Sequence, residues 1–461
     1  MNSQLRRLSV FALVMITVGS VDSIRNLPAT ALFGSALIFF FIIGAIFFLV
    51  PVALVSAELA SSWTEEGGVY VWVKEAFGTP LGYMAIWFQW LENVIWYPTI
   101  LSFVAGTFAY LIDPALVRSK LFLITVILFT FWAFTLINCF GTRVSSWFSN
   151  VCSVFGLLIP MTLIIILGII WLSLGHPSQI HFSHEAWLPH AFNPSMWVAL
   201  TGIMMSFCGM EIATVHAREV KNPQKAFPRA LLYSSLIIVT TLIFGSLSIA
   251  TVLPQNQISL VSGIMQAFSY FFGAYHLTWL LPLVGVMLII GGLGGVNNWI
   301  LAPTKGLLIA AQDGTMPPHL QRENRYRAPQ NLLIWQAVIV TLLTLVFLLL
   351  PTVNAAYWLL TALASQIYMI MYILMFAAGI WLRVKHADRP RAFRIPGGFF
   401  GMCLVAGFGI LASIITTIVG FFPPSSIQVG SLLHYESLLV GGLIIMIVLP
   451  MVCYKLRRAH W

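Results

Sequence analysis

The chain has 461 residues with 23 Lys and Arg against 14 Asp and Glu, a formal net charge of +9, yet charged residues make up only 8% of it. Soluble domains carry roughly 25% charged residues. With 59% of its residues apolar and a mean hydropathy of +0.93, this chain has too few polar side chains to cover a surface in water. An ordinary soluble enzyme, a disordered protein and a nucleic-acid-binding module are excluded.

A helix needs about 20 apolar residues to cross the hydrocarbon core of a bilayer. Twelve such runs are read along the chain, at 8–31, 34–58, 80–112, 121–139, 147–174, 195–216, 229–253, 277–311, 332–350, 355–382, 399–422 and 436–455. The spacing predicts an all-α polytopic membrane protein; the ten-residue alternating strands of a membrane barrel are absent. The first run passes straight into the second with no small-residue cleavage site between them, unlike a secretory leader.

Span 1 packs Thr17, Gly19, Ser20, Asp22, Ser23, Arg25, Asn26 and Pro28 into twelve residues. Charged side chains facing lipid cost several kcal/mol at the bilayer centre, of the order of 3 on insertion scales. Asp22 and Arg25 therefore either face a cavity, pair with each other structurally, or lie nearer the interface. Span 3 places Gln89, Asn93 and Trp96 on one face at i, i+4 and i+7, beside Glu92 and Tyr97. The longest loop on one side, about 175–194, holds His176, His181, His184 and His190. It reads as a polar interfacial loop, with a pH sensor or metal site as the sharper alternative.

Span 6 repeats the theme of span 1. Gly202, Met205, Ser206 and Gly209 lead into Glu211, and glycines there mark either close packing or an interruption. Span 8 carries Gly291, Gly292, Gly294 and Gly295 before Asn297, Asn298 and Trp299. Span 10 aligns Trp358, Thr361, Ser365, Tyr368 and Tyr372 on one face, although Tyr357 and Trp358 also suit a membrane interface as anchors. The five cysteines, Cys139, Cys152, Cys208, Cys403 and Cys453, all lie in apolar runs and imply neither a disulfide framework nor a zinc site. No metal ligand set is read, and no domain outside the membrane fits on the chain.

With an even number of spans, 19 of the 23 Lys and Arg residues fall in one set of loops, and only Arg118 and Lys120 in the other. The positive-inside rule then puts both termini in the cytoplasm, for an inner-membrane location. It also accounts for the +9 without a nucleic-acid partner. Spans 1 and 6 are five apart, so they run in opposite directions. Broken helices at corresponding places in inverted repeats point to a transporter's binding site.

The residues also resemble a known family. Gly209–Glu211 with Glu219 through Ala230, Gly67-Gly68 with Tyr70, Trp72 and Phe77-Gly78, Pro303 through Pro317, and Phe393 through Gly398 resemble, in order, four motifs of the amino acid–polyamine–organocation superfamily. Within it, Glu65-Glu66-Gly67-Gly68-Val69, Glu58 after Ser56-Ala57, His216 before Glu219, and Phe422-Pro423-Pro424 before Ile427-Gln428 are similar to the bacterial glutamate/GABA antiporter subgroup. The resemblance implies a LeuT-like 5+5 inverted repeat with discontinuous helices 1 and 6. The repeats would span about 8–174 and 195–382, with two accessory C-terminal helices at about 399–455.

It further implies alternating access and an amino-acid substrate gripped by Gly19, Ser20, Asp22, Ser23, Arg25, Met205, Ser206, Gly209, Glu211 and Trp299. Gln89, Asn93, Trp96, Tyr97, Asn298, Trp358 and Tyr368 would line or gate the pathway. Met205 stands where relatives carry a bulky gating aromatic. Glu211 matches a gate carboxylate. Val21-Asp22-Ser23 replaces a Gly-Ser-Gly cradle, so Asp22 would repel a substrate carboxylate unless Arg25 compensates. The chain ends at Trp461, without the extension that plugs the acid-resistance antiporter, so a pH-gated plug is not expected.

Three functions are weighed. The first is amino-acid antiport, needing no cofactor; its partners are the substrate and the bilayer, and the resemblance allows a homodimer. The second is proton-coupled amino-acid symport, with Glu211, Asp22 or Glu92 as proton carrier. The third is a membrane-embedded enzyme or sensor, disfavoured because His216, His276, Glu58 and Glu92 are scattered with no HExxH spacing.

Overall fold

The computed structural model describes residues 9–63, 65, 67–140, 152, 154–180, 194–213 and 223–457. Among the described residues every regular element is helical. Span 1 is α1 (Val10–Val21) and α2 (Leu27–Ala31); span 2 is α3 (Gly34–Ser62). A short α4 (Val69–Phe77) precedes span 3, α5 (Thr79–Ile112), and span 4, α6 (Lys120–Cys139). Span 5 is α7 (Val154–Ser173), span 6 is α8 (Ala199–Phe207) with α9 (Met210–Ala213), and span 7 is α10 (Pro223–Val252). After α11 (Gly263–Ala274) come α12 (Leu281–Ala310), α13 (Gln330–Thr344), α14 (Val353–Lys385), α15 (Gly398–Val419) and α16 (Leu432–Lys455), which are spans 8 to 12.

Among the described residues ten helical stretches, α13 being counted on to Leu349, are long and apolar enough to cross a membrane, and the bent pair at span 1 makes an eleventh. The twelfth predicted run, 195–216, is divided into pieces too short to cross alone, and its end from residue 214 lies outside the described residues. Two helices were not anticipated, α4 and α11. Each is shorter than a span and apolar on one face, a pattern that a search for 20-residue runs passes over.

Burial separates the centre of the bundle from its rim. The apolar window of α5 is 72% buried and that of α14 is 61%, against 17% for α16. α5 packs along both α12 and α14, and α15 covers the outer side of α14. Between helices in lipid, hydrophobicity supplies little attraction, so close van der Waals contact must supply it. The crossing of α7 over α12 shows this. A Cβ built on Gly291 would stand 2.5 Å from the Gly156 Cα, so only glycine lets the two backbones meet.

Both suspected interruptions are present. In span 1 the Asp22 N–H still bonds to the Val18 carbonyl at 2.8 Å, but Asp22 and Ser23 are extended. A 3-10 turn at Ile24–Asn26 then leads into α2, bent 43° from α1. Pro28 sits in the first turn of α2, where its missing N–H leaves no intrahelical bond unmade. In span 6 α8 stops at Phe207, Cys208 is extended, and Gly209 has φ 100°, a conformation that favours glycine.

Candidate functional site

The two breaks face one cavity of about 150 Å³. Gly19, Asp22, Ser23, Arg25 and Asn26 line it from span 1, and Met205, Cys208 and Gly209 from span 6. Glu92, Asn93 and Trp96 of α5, Tyr368 of α14, Trp299 with the four glycines 291, 292, 294 and 295 of α12, and Cys152 and Gly156 from span 5 also line it. Irregular backbone is tolerated in a membrane protein where it is buried in protein or lines a cavity; both breaks meet that condition.

Arg25 is 3% exposed. Its Nη1 donates to the Thr99 hydroxyl at 3.0 Å and the Tyr357 hydroxyl at 3.2 Å, and its guanidinium lies 5.1 Å from the Trp96 ring centroid. Glu92, Trp96 and Thr99 follow each other at i, i+4 and i+7, so this face of α5 is the one turned to Arg25. Asp22, 5% exposed, turns the other way: its Oδ2 accepts from the Thr241 hydroxyl of α10 at 2.8 Å. Among the described residues no ion pair joins Asp22 to Arg25, so the structural pair weighed from sequence is not what holds them. Asp22 Oδ1 and Arg25 Nε are both buried without a hydrogen-bond partner.

Glu211 does not line the cavity. It stands behind the span 6 break, and its carboxylate accepts from Gln89 Nε2 at 2.9 Å, Tyr368 OH at 2.5 Å and Tyr372 OH at 2.5 Å. A carboxylate has about four acceptor sites, and three donors from two other helices fill most of them. The Tyr372 hydroxyl in turn accepts the Gly209 N–H at 3.1 Å, so the backbone donor freed by the break is already engaged. Spans 3, 6 and 10 are tied together at this one carboxylate.

The remaining predicted positions divide. Asn93 lines the cavity and donates to Glu92 Oε2 at 3.0 Å, whereas Gln89 is drawn off to Glu211. Tyr97 points at α12 instead, its hydroxyl donating to the Trp299 carbonyl at 2.8 Å. Trp358 is buried beside Phe33 and Gly202, away from the wall. The Ser206 hydroxyl bonds back to the Gly202 carbonyl at 2.8 Å within α8. The side chains of Ser20 and Asn298, and His181, His184, His190, His216 and Glu219, lie outside the described residues. His176 stacks on Trp171 with 4.4 Å between ring centroids. Among the described residues no group of three or more His, Cys, Asp or Glu could hold a metal ion.

Sequence reasoning missed Thr99, Thr241 and Cys208. A threonine in an apolar helix normally bonds its own preceding turn, so nothing local marks Thr99 or Thr241 as partners of buried charges. Tyr357, for which an interfacial anchor is one of the sequence alternatives, is buried and accepts from Arg25.

Two charged clusters lie apart from the cavity. Glu58 at the end of α3 accepts from Arg383 Nη1 and from the Ile395 N–H at 2.7 Å and pairs in charge with Arg391, whose Nε is 3.1 Å away, while Arg383 Nη2 also donates to the Ile395 and Gly398 carbonyls. Lys74 of α4 pairs with Asp313, which also accepts from the Tyr70 hydroxyl at 2.6 Å. Burial and that carboxylate push the Tyr70 phenol above its ordinary range.

Comparison with known proteins adds the context. A family model described as amino acid permease matches residues 8–448. The chain is 45% identical, over 98% of its length and 97% of the relative's, to an uncharacterized transporter of Legionella pneumophila. It is 28% identical to a glutamate/gamma-aminobutyrate antiporter of Lactococcus lactis, covering 99% of this chain and 92% of that one. A probable agmatine/putrescine antiporter of the same species is 23% identical over 96% of this chain and 93% of its own.

Proposed function

We propose that this chain, which belongs to the amino acid permease family, exchanges amino acids across the bacterial inner membrane by alternating access. The reading takes the fold as a LeuT-like pair of inverted five-helix repeats, about 8–174 and 195–382, with twelve spans and both termini cytoplasmic. The observation that carries it is the meeting of two interrupted spans, five apart in order, at one cavity. A substrate there would touch Asp22, Arg25, Met205, Gly209 and Trp299. Gln89, Glu211, Tyr368 and Tyr372 would hold spans 3, 6 and 10 in register until it binds. The relatives named as antiporters support exchange over uniport.

The test is counterflow. Purified protein in liposomes loaded with an amino acid is expected to speed uptake of the labelled amino acid well above that into empty liposomes. Equal uptake into loaded and empty vesicles would remove obligatory exchange. Proton-coupled symport is the second reading, favoured by one observation: Glu92 is 4% exposed and lines the cavity. Of the three carboxylates considered, Glu211 is occupied by three donors, which leaves Asp22 and Glu92, both in the cavity wall, as the candidate proton carriers. Uptake driven by a pH gradient into empty vesicles, abolished in Glu92→Gln, is the result that would favour it.

A further inference from the structure

A second hollow, of about 350 Å³, lies on the outside of the bundle between α5, α6 and α12. Its walls include Val104 and Phe108 of α5, Thr125, Val126 and Phe129 of α6, and Leu293 of α12. The Thr125 hydroxyl is spent on the Leu121 carbonyl of its own helix at 2.8 Å, so it brings no donor to the hollow. Phe108 and Phe129 are 42% and 77% exposed, so the hollow opens outward to the bilayer. Thr125 and Phe129 stand past the start of α6 at Lys120 by about 7.5 and 13.5 Å along the helix axis. Half of the hydrocarbon core is about 15 Å thick. The hollow therefore sits at the depth of the acyl chains of one leaflet.

Depth and size decide what fills it. An apolar space stays free of water. A helix from a second copy does not fit, because one turn, 5.4 Å of a cylinder about 10–12 Å across, is larger than the whole hollow. A single acyl chain is thin enough and is present at that depth. The end of the hollow adds a charge. Residues 113–119 join α5 to α6, and Arg118 in that loop is exposed and forms no ion pair among the described residues. Lys120 beside it is committed to the Leu350 carbonyl at 2.6 Å. Asp113, the acid of the loop, accepts the Ala115 N–H at 2.9 Å and caps the turn that follows. An exposed guanidinium thus stands at headgroup level, where a phosphate can meet it.

The same walls border the cavity between the two breaks. Val104 lines the hollow, and a Cβ built on Gly292 would stand 2.6 Å from its Cγ2. Gly292 lines the cavity, as do Ile100 and Phe103 of α5. A partition one side chain thick separates the two spaces. We propose that the hollow seats one acyl chain of an anionic phospholipid whose phosphate meets Arg118, and that this chain braces the partition between α5 and α12. The inference goes beyond the transport reading and requires only that the chain spans a bilayer.

The experiment uses full-length purified protein, stripped of lipid in detergent and titrated with phosphatidylglycerol that carries a photoactivatable diazirine on one acyl chain. Label is expected to concentrate on peptides 104–108, 125–130 and 289–293 and to saturate. Unlabelled phosphatidylglycerol should compete about fivefold better than phosphatidylcholine, the scale of one arginine at an anionic lipid surface. Arg118→Gln should bring the two competitors to within about twofold of each other. Phosphatidylglycerol should also raise the Tm of wild type in a saturable way. Val126→Trp, whose indole fills the hollow, should lose both the saturable label and the rise in Tm. If that variant does not fold, Thr125→Trp replaces it, and the mapping and competition on wild type need no variant.

Label spread evenly over the outer faces of α6, α15 and α16, rising without saturation, means annular lipid only and overturns the site. Saturable label in Val126→Trp equal to that of wild type does the same. So does a hollow left unlabelled in a dimer that covers α6, which would give this face to a second copy. Equal competition by the two lipids overturns the phosphate contact, and a Tm indifferent to phosphatidylglycerol overturns the brace. None of these results touches counterflow, so the transport reading stands or falls separately.

Discussion

Arg25 and Arg383 are both almost fully buried, at 3% and 4% exposure, and the protein treats them in opposite ways. Arg383 is given a carboxylate, Glu58, and two carbonyl oxygens; a second arginine, Arg391, shares the same acid. Arg25 is given two hydroxyls and an aromatic face, and no carboxylate among the described residues. Both keep an unpartnered Nε; the difference lies in what the other nitrogens reach, a carboxylate and two carbonyls for Arg383 and two hydroxyls for Arg25. The first arginine is neutralised where α3, α14 and the 386–397 segment meet, as a structural joint requires. The second is held by hydroxyls at the wall of a cavity that Glu92 also lines, with no direct ion pair among the described residues, as a ligand site requires.

Breaking the joint should therefore cost folding, and altering the site should cost recognition. Glu58→Ala leaves two buried guanidinium groups facing no acid, and its expected effect is the largest, about 3–5 kcal/mol of stability. Thermal unfolding in detergent and the yield of monodisperse protein read it directly. A Glu58→Ala protein as stable as wild type would erase the contrast. Gly291→Leu comes next. Its side chain meets the Gly156 backbone, and overpacking of this kind costs about 1–3 kcal/mol; a matching loss in exchange rate is expected because the same glycines line the cavity. The smallest effect belongs to Lys74→Ala. The Lys74–Asp313 pair is 36% and 39% exposed, and such pairs contribute about 0–1 kcal/mol, screened by salt. A large loss of stability that persists at high salt would mean that this pair is a third joint rather than a surface contact.

Much of this was legible before any coordinates, because the bilayer punishes polar residues and so makes each one informative. Asp22, Arg25, Glu92 and Glu211 stand out in apolar runs, and glycine and proline beside them mark where helices stop. What the sequence could not give was pairing. Asp22 and Arg25, three apart, read as natural partners, yet each is claimed by a residue far along the chain, Thr241 and Thr99. Gln89, Asn93 and Trp96 fall on one helical face, yet Gln89 is pulled to Glu211 while the other two reach the cavity. Periodicity fixes a face and says nothing about the neighbour across it. The short helices α4 and α11 escaped for a simpler reason, being too brief to register as spans.

The central claim is that the hollow between the two breaks is where substrate sits. Cys208, in the extended link of the span 6 break, lines that hollow and supplies a native probe. With Cys139, Cys152, Cys403 and Cys453 replaced by serine, a small water-soluble thiol reagent can be timed against Cys208 alone. The account predicts that Cys208 is labelled in functional protein, and that the amino acid giving the strongest counterflow slows labelling in a saturable way. Labelling at the same rate with and without that amino acid, in protein that still exchanges it, would place the substrate elsewhere and contradict the account.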